Sequence, residues 1–189
     1  MSSIKLTGDT SGEITISAPA VAGTNTLTLP SSTGEITVGG NNTPLCRVAL
    51  GSDQTGVGDA VNTKLEFSTV TFEQGMTFDT TNHRFTVPSG AEGYYQVNVQ
   101  VSCRTETNSD LRSAIAYVAK NGVAYGASNE QNFLLNDVRV STITLAKIIS
   151  LQTAGDYIEV YGYINTVAAG SSRSFTNSRT EMTIHKLIS

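Results

Sequence analysis

From Tyr95 onward the chain alternates. Tyr95, Val97, Val99 and Val101 fall on one side, and Gln96, Asn98 and Gln100 on the other. A period of two marks a half-buried strand, because successive side chains leave opposite faces of a sheet. The preceding Pro88-Ser89-Gly90-Ala91-Glu92-Gly93 is turn material: proline sets φ, and the glycines permit positive φ. The same kind of pattern predicts strands over Leu45–Leu50, Leu65–Phe72, Met76–Asp79, Arg84–Val87, Tyr94–Cys103 and Ala114–Ala119. It predicts further strands over Val123–Tyr125, Val138–Leu151, Tyr157–Asn165 and Thr180–Leu187. Asn121-Gly122 is a strong type I′ hairpin signal. Ser109–Val118 can also be read as a helix, with Leu111, Ala114, Ile115 and Val118 at helical spacing behind a serine cap. A segment that short, without a capping-box glutamate, is marginal as a helix, and the flanking pattern favours strand.

The N-terminal pattern is weaker. SGEITI (Ser11–Ile16) and TGEITV (Thr33–Val38) echo each other, with the alternating Thr24–Leu29 between them. Short strands are predicted around Ile4–Thr7, Glu13–Ser17, Thr24–Leu29 and Glu35–Val38. The apolar residues Ile4, Leu6, Ile14, Ile16, Leu27 and Leu29 are too few to offset the entropy of ordering this segment. They are the candidate attachment surface, either to a partner protein or to other copies of the arm. Gly39-Gly40-Asn41-Asn42-Thr43-Pro44 reads as a linker, dividing an arm (residues 1–43) from a main domain (residues 44–189).

Composition agrees with β structure. Charged residues are 15% of the chain, and serine, threonine, asparagine and glycine fill the gap. A net charge of -4 without a run of lysine or arginine argues against a nucleic-acid partner and against an electrostatic membrane anchor. The opening MSSIKLTGDTSGE has no apolar core of the kind a secretory leader needs, and no run is long enough to span a bilayer. Cys46 and Cys103 stand far apart in no paired motif. They read as small buried residues rather than a disulfide.

Little points to chemistry. His83 and His185 are the only imidazoles and lie outside any zinc-binding spacing. His83 reads as a loop residue in Thr80-Thr81-Asn82-His83, and His185 as part of the last strand. Gly51–Gly58 looks superficially like a phosphate loop, but no Lys-Ser or Lys-Thr follows, so it reads as a mobile surface loop. Asp53, Asp59 and Asp156 form no Asp-x-Asp-x-Asp-Gly calcium loop. No catalytic, cofactor or metal site is expected, and the protein does not read as an enzyme.

Two sets of residues carry resemblances. Phe78-Asp79, Phe85-Thr86-Val87-Pro88 and Gly93-Tyr94-Tyr95-Gln96-Val97 resemble the globular head of complement component one q and its tumour necrosis factor-like relatives. So do Lys120-Asn121-Gly122 and Leu151 followed by Gly155-Asp156-Tyr157-Ile158-Glu159-Val160. This resemblance spans residues 45–189. The end departs from the pattern, since Ser174-Phe175 is followed by a longer Met182–Leu187 run, and no collagen repeat precedes the domain. The resemblance implies an antiparallel jelly-roll sandwich that trimerises. Within it, Asp156 is expected to close a turn, and Tyr95, Val97, Val99, Ile158 and Val160 to serve core or inter-subunit packing.

Leu6–Ile16 and Leu27–Gly34 look like the short repeats of bacteriophage virion proteins. Together the two resemblances imply an all-β, trimeric phage surface protein, and the first reading of its role is a homotrimeric capsid decoration protein (cement or head-fibre). Its arm would attach to the major capsid protein or another virion protein after assembly in the host cytoplasm. The alternative is a tail-fibre or receptor-binding tip contacting a host-surface glycan. Against it, aromatics are 7% of the chain and tryptophan is absent. A bacterial surface or spore-coat trimer is a third reading.

Overall fold

The thirteen-residue strand β8 (Gly93–Thr105) organises the main domain. In this computed structural model, residues 3–7, 10–17, 21, 23–24, 43–126, 128–135, 137–168 and 170–187 are described. The chain divides into two units, residues 1–39 and 40–189.

In the first unit, β1 (Ser3–Thr7) and β2 (Glu13–Ser17) form an antiparallel hairpin in which Ile4 faces Ile16 and Leu6 faces Ile14. Lys5 and Glu13 form an exposed ion pair at 2.7 Å. Of the strands expected over Thr24–Leu29 and Glu35–Val38, residues 25–29 and 35–38 lie outside the described residues. Leu27 and Leu29 are among them.

In the second unit, one edge of β8 is paired along its length by β12 (Val140–Leu151). The other edge takes β15 (Glu181–Lys186) and, beyond it, β14 (Arg173–Phe175), with the 3₁₀ turn Asn177–Arg179 between them. From β15 the sheet continues through β3 (Leu45–Leu50) to β6 (Phe67–Gln74), and from β14 to β4 (Gln54–Thr55). A second sheet centres on β9 (Leu111–Lys120) paired with β13 (Tyr157–Thr166). β10 (Val123–Ala124) and β11 (Asn129–Asn132) line the far edge of β9, while β5 (Thr63–Lys64) and β7 (Phe85–Thr86) line that of β13.

The ambiguous segment is therefore strand. Ser109 turns the chain at φ 52°, and β9 is then paired on both edges, so ladder bonds outweigh local helical spacing. The Asn121-Gly122 turn has φ of 52° and 78°, as a type I′ turn requires. One expected strand is corrected. Met76–Asp79 contributes a single bridge, Asp79 to Arg84, because Gly75 turns the chain at φ 73° and Phe78 N–H donates to the Glu73 carboxylate at 2.8 Å. β11 was not anticipated, because Asn129-Glu130-Gln131-Asn132 has no apolar period. Its strand state comes from pairing with β9.

The interior is filled from both sheets. Tyr95, Val97, Val99, Ile158 and Val160 are all buried between the layers of one chain. Of the two roles expected for them, core packing is the one the architecture allots; they do not lie on a surface open to another subunit. Tyr95 packs its ring on Phe85 with centroids 5.2 Å apart, and its hydroxyl donates to the Ala91 carbonyl at 2.5 Å. Its one polar atom is thus satisfied.

Two turns at one end of the sandwich are clipped together. Asn121 Nδ2 donates to Asp156 Oδ1 at 2.8 Å, and Tyr157 N–H donates to Asn121 Oδ1 at 2.8 Å. Lys120 Nζ lies 2.9 Å from Asp156 Oδ2. The Asn121 amide, and after it Lys120, hold the Asp156 carboxyl below the usual range; Asn82, chiefly through its N–H, does the same for Asp79. A carboxylate with a depressed folded pKa contributes stability that is fully present above its unfolded value of about 3.9 and lost as pH falls through the folded value. The thermal midpoint is therefore expected to hold from neutral pH to about 5 and to decline below about 4. Asp156→Asn should lower the midpoint at pH 7 and flatten the acid decline. Scanning calorimetry of both proteins checks this, and an unchanged acid slope in the variant would assign the effect to other carboxylates.

Candidate functional surfaces

The hairpin residues named from the sequence come together on one face. Ile4, Leu6, Ile14 and Ile16 are 63%, 54%, 68% and 49% exposed. Direct cross-strand pairing makes them a small continuous apolar strip. An isolated two-stranded hairpin is marginally stable in water, so this strip calls for a covering surface.

The residues with chemical potential are engaged structurally. His83 adopts φ 50° in the Asp79–Arg84 turn, and its Nδ1 lies 2.9 Å from the Phe67 carbonyl. A carbonyl only accepts, so Nδ1 carries the proton. His185 sits in β15, between Leu45 of β3 and Gln96 of β8. Asp53 accepts from Asn177 N–H at 2.8 Å, and Asp59 from Thr166 N–H and Oγ1 at 2.9 Å each. Asp156 closes its turn by accepting from Thr153 N–H at 3.3 Å. Among the described residues, no group of three or more His, Cys, Asp or Glu could hold a metal ion.

The Gly51–Gly58 segment is not the loose loop expected. Thr55 and Gln54 pair with Ser174 and Phe175, and the Gln54 amide is tied to Lys64 carbonyl and Glu66 N–H at 2.8 and 3.1 Å. Cys46 and Cys103 are free and buried. Burial, aided at Cys46 by Glu73, pushes both thiols up to about 12. They stay protonated at neutral pH and are poor nucleophiles. Ile184 links Cys46 to Val97, six residues along β8 from Cys103, so a gap of about 20 Å rules out a bridge.

Each sheet also presents an outer face. On the β9–β13 sheet, Tyr117 and Tyr161 stack at 5.2 Å and 4°, and Arg84 lies over Tyr157 at 4.4 Å. One face of each stacked ring is thus taken up by the other. Along the Tyr94–Gln100 stretch of the β8–β12 pair, the outward residues are Tyr94, Gln96, Asn98 and Gln100 opposite Ser150, Ile148, Ala146 and Thr144; farther along, the same row carries Ser102 and Arg104. No outward residue of the Tyr94–Gln100 stretch or opposite it is charged, and Tyr94 and Ile148 are 52% and 59% exposed. The sequence pattern held this surface in plain view, as the polar half of the alternation whose apolar half is the core.

The architecture defines an all-β protein: a β-hairpin unit and a two-sheet antiparallel jelly-roll sandwich. No family model matches the sequence, and no curated protein matches it. Solved structures share the fold, among them the following two. Murine APRIL, in its crystal structure at pH 8.5, superposes with a TM-score of 0.54 at 14% identity, covering 76% of this chain and 98% of that one. The globular domain of the zebrafish complement 1qA protein does so with a TM-score of 0.51 at 11% identity, covering 77% and 98%. At such identities the likeness is one of fold. No helix among the described residues is long and apolar enough to cross a membrane.

Proposed function

We propose that this chain is a structural virion protein, a homotrimeric capsid decoration (cement or head-fibre) protein. Its N-terminal arm lies on the major capsid protein or another virion protein, and its jelly roll projects outward. The observation that carries this reading is the strip Ile4–Ile16 and Leu6–Ile14, roughly half to two-thirds exposed on a hairpin too small to stand alone. The jelly-roll fold, the uncharged Tyr94–Gln100 stretch of the β8–β12 face and the virion-like repeats of the arm support it. A closed threefold assembly would cover that stretch on each copy and bring three weak arms together.

Removing residues 1–40 tests the reading. The head keeps its own buried core and should stay folded and trimeric, while its binding to capsids stripped of decoration protein should fall at least a hundredfold. Co-sedimentation measures this. Undiminished attachment would move the docking surface to the jelly roll. Loss of trimerisation together with attachment would make the arm a trimerisation element first.

A further inference from the structure

The sequence holds no basic run, yet folding assembles a basic cavity. Arg104 of β8, Arg139 before β12 and Arg179 after β14 line one cavity of about 400 Å³, together with Ser102, Thr176 and Ser178. We infer that this cavity binds a tetrahedral oxyanion, a phosphate or sulfate group, either as the free ion or carried on a larger ligand.

Charge comes first. Arg104 and Arg139 share one carboxylate, that of Glu106, at 3.3 and 4.0 Å. Arg179 is exposed, and its side chain makes no hydrogen bond or ion pair among the described residues. Three guanidinium groups less one carboxylate leave +2 beside the cavity, in a chain whose net charge is -4. That local charge matches a phosphate or sulfate dianion. Guanidinium also matches such oxyanions geometrically, because its planar fork donates two parallel hydrogen bonds.

The floor supplies the second observation. Ser102 is 1% exposed, and its hydroxyl has no hydrogen-bond partner. Its backbone groups are already used, N–H by Thr180 Oγ1 at 3.1 Å and C=O by Thr176 N–H at 3.0 Å. A buried hydroxyl without a partner is costly, and a ligand oxygen at this site would relieve it. Counting donors favours four oxygens over two. Three guanidinium groups and the hydroxyls of Ser102, Thr176 and Ser178 outnumber the roughly four lone-pair sites of one carboxylate.

The site is preorganised. β8 carries Ser102 and Arg104, and the pairing of Arg104 with both Val140 and Ser174 sets the flanking strands. Arg139 Nε donates to the Thr105 carbonyl at 3.3 Å, which anchors that side chain over β8. Its remaining nitrogens keep donors available.

Calorimetric titration of the full-length protein with sodium sulfate and sodium phosphate, at constant ionic strength set with chloride, tests the inference. Saturable binding of one anion per chain is expected, with acetate at least about tenfold weaker. Arg179→Ala should weaken sulfate binding about tenfold or more, and Ser102→Ala by a smaller factor, while Arg179→Lys restores part of the loss. Arg179 is exposed and unpaired, so its variants should melt as the parent does. Sulfate should also raise the parent's midpoint, and that of Arg179→Ala by less at the same concentration. Glucose 6-phosphate binding tighter than inorganic phosphate would identify a phosphoryl group on a larger ligand, and equal affinity would identify the free ion. Identical weak heats for sulfate, acetate and the Arg179→Ala protein would reduce the effect to charge screening and overturn the inference.

Discussion

Gly162→Val is expected to destabilise the jelly roll by about 3 kcal/mol, at the upper end of overpacking costs. For a domain of this size the thermal midpoint should fall by about 5–10 °C. Gly162 lies mid-strand in β13, paired with Ala116 of β9. A Cβ built there would sit 2.5 and 2.6 Å from two ring carbons of Phe175. Phe175 belongs to the opposite sheet and is fully buried, so its ring has no open space to enter. The small pair Gly162–Ala116 thus leaves the hollow that receives a large ring from across the sandwich. Backbone strain is not the cause, because Gly162 is not among the positive-φ glycines. In the Gly162→Ala background, Phe175→Leu should restore part of the loss, giving a coupling of at least about 1 kcal/mol in a double-mutant cycle. Unchanged melting of Gly162→Ala would show that the ring can move aside, and that the sheets are less tightly registered at this point.

The second large effect is expected on assembly. Ala146→Glu combined with Asn98→Glu places two carboxylates in directly paired positions of the uncharged Tyr94–Gln100 stretch of the β8–β12 face. Where copies meet through that face, unpaired like charges are desolvated together, at a cost of several kcal/mol per contact. Light scattering at micromolar concentration should then report monomers, against trimers for the parent. Both positions are exposed and neither belongs to the buried cluster, so each monomer should keep its fold apart from about 1 kcal/mol of cross-strand repulsion. A variant that stays trimeric would place the interface elsewhere on the head. A parent that is monomeric would remove the assembly altogether.

The sequence determined the strands that carry their own period. Tyr95, Val97, Val99 and Val101 announce β8 because one face of that strand is buried, and burial selects apolar residues at every second position. Asn121-Gly122 announces its turn because few other dipeptides tolerate positive φ at both positions. The shortage of apolar groups in the N-terminal segment is likewise a property of the sequence itself. Tertiary structure decided the rest. It made a strand of Asn129–Asn132, which owes its state to the free edge of β9 rather than to its own side chains. It put Tyr95, Val97, Val99, Ile158 and Val160 inside one chain, since alternation says that a face is covered but not by what. It drew Arg104, Arg139 and Arg179 around one cavity from positions far apart in the chain. No local pattern encodes that arrangement, because side chains meet across a sheet according to strand order and register. Those are set by long-range pairing and not by neighbours in sequence.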